Sequence, residues 1–374
     1  MEMVMRISSV EIYRAELPFH KVGGTPLRTW QPAATVSLVR VHTDDGRMGV
    51  GTGTAIGFYL ALTGGGLIDA LVTLAPILVG RSPFDLETIH GEMDRLIKGH
   101  TASKAALDIA LHDLAGQVAG RPVYDLLGGR SQATPIPTTC FALYVDEPEK
   151  MAAEVKRFYG EGFRAFEIKM DNPGLDVARI RAIREAVGDD VMLIADANGN
   201  WNVKEAIRTI RQLERYNVIV EEPCTGVTAL EEVRRAVDVP IVADETCHTL
   251  ADAAEIVRRR AADLLSIKIM KCGGLHPAKK MAALAESAGL GYRVDGVRGE
   301  TRVSNTATAH LATALRHSVA PGCMQHRRLQ DDVVTKGGLH YEAGRVSVPD
   351  APGLGLECPP FGELVARFDK EATA

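Results

Sequence analysis

Three features are missing from this sequence, and each absence excludes a class of protein. The six cysteines are scattered without a C-x-x-C pair, which argues against a structural zinc site or a disulfide framework and favours a reducing, cytoplasmic compartment. No sustained basic stripe is present, and 43 Lys and Arg against 48 Asp and Glu give a net charge of -5, so we expect no nucleic-acid partner. The most apolar run, GGGLIDALVTLAPILVG, carries Asp69 and is too short to span a bilayer, so we expect no membrane association.

The length and composition indicate a soluble globular protein with more than one core. The chain has 374 residues, of which 46% are hydrophobic and 24% are charged, and one core seldom organises so many residues. Residues 1–130 contain a hairpin signal, TVSLVRVHTDDGRMGVGTG, and later the helical periodicity of SKAALDIALHDLAGQVAG. They predict an α+β capping domain, which we expect the C-terminal residues 352–374 to complete.

Residues 131–351 show a different pattern, in which short β-branched runs alternate with amphipathic helices. The predicted strands are IPTTCFAL, RAFEIKM, VMLIAD, VIVEE, PIVAD, LLSIKIM, GYRVDG and HSVAPGCM. Their ends recur about every 25 residues, as repeated βα units do. No G-x-G-x-x-G or P-loop motif opens a helix, and nothing marks the switch point of an open, doubly wound sheet. The pattern therefore predicts an α/β fold, a modified TIM (β/α)8-type barrel.

Carboxylates close three consecutive strands of this predicted barrel, namely Asp196, Glu221 and Asp244. A single Asp before a helix is often only a cap. Three carboxylates at the catalytic ends of neighbouring strands would repel one another unless a cation neutralises them. Ligands that are all oxygen suit Mg²⁺, with Mn²⁺ as a substitute, rather than Zn²⁺. We therefore expect these three residues to bind Mg²⁺.

Two lysines close the strands on either side of the carboxylates. Lys169 ends the second predicted strand and Lys268 ends the sixth, so the two approach the barrel centre from opposite sides. A substrate carboxylate on the metal would present its α-carbon between them, and the metal would stabilise the enediolate that forms when the α-proton leaves. Lys169 and Lys268 are therefore the candidate acid and base, and a small-molecule carboxylate is the candidate substrate.

Several motifs together resemble a known family. The runs are FEIKM, LIADANGNW, VEEPC, VADET, SIKIMKCGGL, ASKAALDIALHDLAG and PGLGLE. They are similar to those of the muconate lactonizing enzyme subgroup of the enolase superfamily, within the mandelate racemase and muconate lactonizing enzyme family. The resemblance covers nearly the whole chain. It implies a modified TIM barrel with an α+β cap, Mg²⁺ at Asp196, Glu221 and Asp244, acid/base lysines at Lys169 and Lys268, and a homo-oligomeric state.

The second strand departs from the subgroup pattern. The subgroup usually carries K-x-K, whereas this chain has Glu167-Ile168-Lys169. A carboxylate two residues away shares the face of Lys169 and should raise the pKa of that lysine. We expect Asn198 and Glu245 to lie behind the metal ligands and to orient them.

Substrate contacts are expected from the cap and the last strands. Residues 20–30 and 49–59 are candidate lid segments. The candidate contacts are Trp30, Arg298, Glu300 and His326. Strand eight has no D-x-D motif of the kind that related dipeptide epimerases use for an ammonium group, which favours an anionic distal group.

Three reactions are compatible with these residues. We rank cycloisomerisation of a dicarboxylate, as in muconate cycloisomerase, ahead of racemisation or epimerisation of an N-substituted amino acid. Dehydration of an acid ranks third. A protein of a different class, a non-catalytic metal-binding barrel, would be favoured if the carboxylates or lysines were broken, and both sets are intact.

Overall fold

An antiparallel sheet near the N-terminus forms the first layer. The computed structural model describes residues 5–20, 31–143 and 146–369. The sheet contains β1 (Ile7–Pro18), β2 (Ala33–Thr43) and β3 (Met48–Thr54). The turn between β2 and β3 contains Gly46 with φ of +86°, so the hairpin read from Asp44-Asp45-Gly46 is present.

Helices cover one face of this sheet. They are Gly57–Leu60, Gly64–Leu74, Leu86–Leu96, Thr101–Ala119 and Val123–Leu126, with a 3-10 turn at Ala75–Leu78. Helix Thr101–Ala119 is buried along most of its length and lies directly against β3. A Cβ on Gly51 would come within 2.0 Å of the Ala106 carbonyl oxygen, so only glycine allows this close approach.

The barrel contains seven parallel strands. They are β5 (Cys140–Leu143), β6 (Ala165–Lys169), β7 (Met192–Asp196), β8 (Val218–Glu221), β9 (Ile241–Ala243), β10 (Leu264–Lys268) and β11 (Gly291–Asp295), preceded by β4 (Ile136–Pro137). The seven are hydrogen-bonded in sequence order from β5 to β11. This is the predicted succession of βα units.

Helices connect these strands. They are Pro148–Gly160, Pro173–Val187, Val203–Leu213, Val227–Ala236, Leu250–Arg259, Ile269–Cys272, Leu275–Ser287 and Arg302–Ala314, with 3-10 turns at Glu214–Tyr216 and Gln325–Arg328. Two of the helices begin with capping boxes, Asn202 with Glu205 and Thr249 with Asp252. These side chains satisfy amide groups that the first helical turn leaves unpaired.

The eighth predicted strand, HSVAPGCM, is not a regular strand. It still joins β11 to the start of β5, because the Val319 amide donates to the Tyr292 carbonyl at 2.8 Å and the Thr139 amide donates to the Pro321 carbonyl at 2.8 Å. Pro321 has no amide hydrogen for a ladder, and Ala320 has a φ of +41°, which breaks the extended conformation. The barrel is therefore a modified TIM barrel with an irregular eighth segment, and the predicted fold class is confirmed.

The C-terminal residues return to both layers. They form β12 (Lys336–Gly337), β13 (His340–Glu342), β14 (Arg345–Ser347), β15 (Leu356–Glu357) and β16 (Glu363–Asp369). β14 pairs with β4, and β16 pairs with β1 to complete the N-terminal sheet in the order β16-β1-β2-β3. All six cysteines are free thiols. Across the described ranges, we find no helix with the length and apolar character needed to cross a membrane.

A buried carboxylate connects the cap to the barrel. Asp108, on helix Thr101–Ala119, accepts hydrogen bonds from the amides of Leu275 at 2.5 Å and His276 at 3.3 Å, and His90 Nε2 lies 2.8 Å from it. The two amides belong to the first turn of helix Leu275–Ser287, where the helix dipole also favours an anion. The cap therefore holds the segment directly after β10.

Gly274 makes this contact possible, and we expect its replacement to be costly. It has a φ of +126°, and a Cβ there would lie 2.3 Å from Asp108 Cγ. Gly274→Ala should therefore lower the free energy of unfolding by about 2 to 5 kcal/mol through strain and overpacking. Gly91→Ala is the matched control, because Gly91 is helical and its Cβ would meet nothing within 4 Å. Chemical denaturation should show that Gly91→Ala is neutral or slightly stabilising. Equal effects of the two changes would contradict this role of Gly274.

Candidate active site

The ends of the barrel strands bring charged side chains to one level. Lys169 pairs in register with Asp196, which pairs with Glu221, and Lys268 pairs with Asp295. Asp244 follows the last residue of β9 directly. Because parallel strands end at the same edge of a barrel, these residues share the catalytic face.

The three predicted carboxylates are fully buried. Asp196, Glu221 and Asp244 each have 0% exposure. Lys169 contacts the Asp196 carboxylate, and Lys268 Nζ lies 2.7 Å from Asp244 Oδ2 and 3.9 Å from Glu221 Oε1. The structure therefore places the predicted carboxylates and lysines in one contiguous cluster.

The cluster has the donor chemistry of a hard cation site. Within residues 5–20, 31–143 and 146–369 no three acidic, His or Cys side chains are arranged as a ligand set. Lys169 and Asn198 contact Asp196, and Lys268 and Lys271 contact Asp244. Glu221 Oε1 is nevertheless buried without a hydrogen-bond partner. Burial, together with the charges of Asp196 and Asp244, raises the pKa of Glu221 to about 8 despite the nearby Arg293. A divalent cation would relieve this cost, so the residues fit Mg²⁺.

Both lysines are held in the charged form here. Burial alone would lower the pKa of Lys268, but Asp244 and other neighbours raise it well above its usual range. The pKa of Lys169 is likewise raised, since Asp196 and Glu167 outweigh the effect of burial. A lysine acting as a base must therefore lose some of this carboxylate contact first.

Two further groups hold Asp244, and the sequence analysis missed both. Lys271 Nζ donates to Asp244 Oδ1 and to the carbonyl oxygens of Asp244 and Ser266, each at 2.7 Å. The hydroxyl of Tyr59 donates to Asp244 Oδ1 at 2.5 Å, and Lys268 Nζ lies 5.0 Å from the centre of the Tyr59 ring. The second lysine of SIKIMK was the available signal for Lys271.

The lid prediction for residues 49–59 is wrong for most of that segment. Its first part is strand β3, packed against a helix, and only the short helix Gly57–Leu60 extends to the barrel mouth and carries Tyr59. The predicted lid residues 21–30 lie outside the described residues. The glycines of β3 serve close packing rather than movement.

Asn198 and Glu245 lie beside the carboxylates, where the sequence analysis expected them. The backbone N–H of Asn198 donates to Asp196 Oδ1 at 2.8 Å. The side-chain Nδ2 of Asn198 donates to Asp196 Oδ2 at 2.9 Å and to Glu245 Oε1 at 3.0 Å. Burial and the charge of Asp244 raise the pKa of Glu245 well above its usual range. Asn198 therefore connects the ends of β7 and β9, which lie on either side of β8.

Comparisons with known proteins identify the family. Residues 12–128 match the mandelate racemase/muconate lactonizing enzyme N-terminal domain, and residues 150–360 match the enolase C-terminal domain-like family. The chain belongs to the mandelate racemase and muconate lactonizing enzyme family. The resemblance read from its motifs is thus confirmed, and the chain is an enzyme of the enolase superfamily.

Relatives in the family favour one group of reactions. An L-Ala-D/L-Glu epimerase of Bacillus subtilis is 36% identical, covering 98% of this chain and 100% of that protein. An N-succinyl-L-Arg/Lys racemase of Bacillus cereus is 32% identical, covering 94% of this chain and 95% of that protein. The crystal structure of a dipeptide epimerase from Enterococcus faecalis, complexed with Mg and L-Leu-L-Tyr, is 34% identical with a TM-score of 0.88, covering 94% of this chain and 99% of that chain. They support the racemase and epimerase alternative better than the cycloisomerase that we ranked first.

This family member replaces the first lysine of the usual K-x-K with Glu167, and the structure shows its partners. Glu167 Oε1 lies 2.8 Å from Lys169 Nζ, and Oε2 lies 3.2 Å from Arg293 Nη2. Although burial would raise the pKa of Glu167, Lys169 and Arg293 lower it. Like Lys271 and Tyr59, Arg293 was missed by the sequence analysis, because an arginine within a β-run such as GYRVDG gives no sign that it points inward.

The candidate substrate contacts separate into two groups. Asn305 links Glu300 and His326: its Nδ2 donates to Glu300 Oε2, and its Oδ1 lies 2.9 Å from His326 Nδ1. Burial raises the pKa of Glu300 to about 8 and lowers that of His326 to about 4. Arg298 lies apart, with its guanidinium carbon 4.1 Å from the centre of the Phe19 ring. Trp30 lies outside the described residues.

Proposed function

We propose that this enzyme catalyses Mg²⁺-dependent racemisation or epimerisation at the α-carbon of an N-substituted amino acid. The observation that carries the proposal is the placement of the two lysines. Lys169 on β6 and Lys268 on β10 each contact a different carboxylate of the cluster, Asp196 and Asp244. Two acid/base groups on opposite sides of one carbon are what inversion at that carbon requires.

Asp196, Glu221 and Asp244 would hold the Mg²⁺, with Mn²⁺ as a substitute. Bound there, Mg²⁺ would stabilise the negative charge that develops on the substrate carboxylate when the α-proton leaves. Lys268 removes the α-proton from one face, and Lys169 delivers a proton to the other. Asn198 and Glu245 keep the strand ends oriented. Contact with its carboxylate partner raises the pKa of each lysine. Each lysine therefore becomes neutral when that carboxylate no longer contacts it.

Substrate selection belongs to the mouth of the barrel. The similarity to an L-Ala-D/L-Glu epimerase and an N-succinyl-L-Arg/Lys racemase supports N-substituted amino acids as the substrate class. We propose that Trp30, Arg298, Glu300 and His326 contribute to the choice within it, and that the absence of a D-x-D on the last segment favours a substrate without a distal ammonium group.

A panel of carboxylates in deuterated water tests the proposed function. It contains dipeptides, N-succinyl and N-acetyl amino acids, cis,cis-muconate and hydroxy acids, each with Mg²⁺ and followed by proton NMR. We expect loss of the α-proton signal together with inversion for an N-substituted amino acid. Lactone formation from muconate would instead identify a cycloisomerase, and loss of water would identify a dehydratase. Mg²⁺ binding without exchange on any compound would favour a non-catalytic barrel.

We also propose that the enzyme works in the cytoplasm as a homo-oligomer. Six free thiols suit a reducing compartment, and the oligomer rests on the family resemblance. Light scattering at micromolar concentration should give a mass of at least twice 40.3 kDa. A monomeric mass would contradict the prediction.

A further inference from the structure

Arg293, like Lys271, is a buried cation that has no place in the proposed proton transfer. Arg293, on β11, is only 1% exposed. It pairs in register with Ser266, whereas Lys268 and Asp295 form the pair at the strand ends. Arg293 therefore lies one layer beneath the lysines, with its side chain on the same face as Asp295.

The guanidinium contacts carboxylates from three different strands. Its Nη1 contacts Glu221 Oε2, and its Nη2 lies 3.2 Å from Glu167 Oε2 and 3.1 Å from Asp295 Oδ2. All three partners are at most 4% exposed. Buried charges of one sign are costly unless an opposite charge lies among them, and arginine is suited to such a position because its planar group donates in several directions.

The two carboxylate oxygens of Glu221 have different surroundings. Arg293 holds Oε2, while Oε1 is the buried atom without a hydrogen-bond partner. Glu167 and Asp295 lie outside the proposed ligand set and add negative charge to the same interior. Without Arg293 that charge would favour a metal cation but repel the carboxylate of a substrate.

We propose that Arg293 is the fixed counter-cation of this site, paired with Glu167 so that the interior carries no excess negative charge when an anionic substrate binds. The inference rests on the proposed function and deepens it. Arg293 touches neither face of the substrate carbon. It is a positioning residue that acts through Glu221 and through the charge balance of the site.

This role predicts opposite changes in two affinities. Arg293→Met removes one cation beside Glu167 and Asp295, which then keep their ion pairs with Lys169 and Lys268, so calorimetry should show Mg²⁺ binding about tenfold tighter. Oxalate, a dicarboxylate that resembles an enediolate in charge, should bind the Mg²⁺-loaded variant about tenfold more weakly. Glu167→Gln removes a negative charge instead and should shift both affinities in the reverse directions.

Combining the two changes provides the decisive measurement. The double variant Glu167→Gln/Arg293→Met loses one negative and one positive charge together. Its affinities for Mg²⁺ and oxalate should therefore return to within about threefold of those of the original protein. Arg293→Lys keeps the cation and should also stay within about threefold. If Arg293→Met does not fold, the opposite shifts in Glu167→Gln and the preserved affinities in Arg293→Lys still test the proposal.

Two results would overturn it. One is Arg293→Met or Glu167→Gln weakening both Mg²⁺ and oxalate, as loss of a purely structural contact would. The other is a double variant whose affinities for Mg²⁺ and oxalate differ from those of the original protein as much as those of the more affected single variant do. Mg²⁺ calorimetry on these variants needs no turnover, so a protein that binds Mg²⁺ but exchanges no α-proton would fail the proposed function while leaving the role of Arg293 measurable.

Discussion

Lys268→Ala is expected to abolish α-proton exchange, with a fall in rate of about a thousandfold or more. Lys268 is 6% exposed, and its ammonium lies 2.7 Å from Asp244 Oδ2, so water cannot easily replace it as a base. In Lys169→Ala the proton on the Lys268 face should still exchange with deuterated water, while inversion stops. Proton NMR of the substrate α-position separates exchange from inversion, since deuterium enters without a change of configuration.

Lys280→Ala is the matched control for this experiment. Lys280 lies on helix Leu275–Ser287, after β10, and pairs with Glu87 away from the site, so its loss should leave exchange unchanged. Exchange that survives in Lys268→Ala but vanishes in Lys169→Ala would reverse the assignment of the two faces. Loss in all three variants would point to a general defect in folding.

Glu221→Gln should weaken Mg²⁺ binding by more than about a hundredfold. This is a larger loss than usually follows the substitution of a residue that contacts a metal ligand but not the metal. The substitution removes the negative charge that a cation would meet at Oε1, the buried oxygen without a hydrogen-bond partner, while keeping the shape of the side chain. The metal-free protein should not lose stability, because a buried carboxylate whose pKa is raised to about 8 gains little from ionisation. Isothermal calorimetry gives the affinity, and thermal unfolding without metal gives the stability.

The neighbouring residue offers the same substitution as a control. Glu222 Oε2 accepts the Asp244 amide hydrogen at 2.7 Å, and its other oxygen accepts from Thr246. Since these hydrogen bonds occupy both oxygens of Glu222, Glu222→Gln should change the Mg²⁺ affinity by less than about tenfold and should act mainly on stability. A larger loss of Mg²⁺ in Glu222→Gln than in Glu221→Gln would mean that the inward face of β8 was assigned wrongly.

Most of the architecture could be predicted from local pattern. Alternating β-branched runs and amphipathic helices give the order of strands, and the polar residues that close those runs are the ones the structure gathers at one edge. Periodicity and strand ends are local properties of a sequence. The eighth segment, HSVAPGCM, was predicted as a strand, whereas Pro321 and the positive φ of Ala320 prevent a continuous ladder.

Contacts between distant segments could not be predicted in this way. Tyr59 meets Asp244 across 185 residues of sequence, and Arg293 meets Glu167 across 126. Such pairs depend on how the cap packs on the barrel and on which strands face each other. The pattern of a single sequence predicts neither of these arrangements. Glu167 was recognisable as unusual, but its partner Arg293 was visible only in the assembled barrel.

The pairing of β16 with β1 has a consequence for synthesis of the chain. β1 begins at Ile7, and the strand that covers its free edge begins at Glu363. During translation, β1 therefore cannot pair its outer hydrogen-bonding groups with β16 until Glu363–Asp369 have emerged from the ribosome. Exposed strand edges promote association with other chains. Nascent or C-terminally shortened copies should consequently depend on chaperones, and pulse-labelled truncations ending before residue 363 should aggregate more than the complete chain.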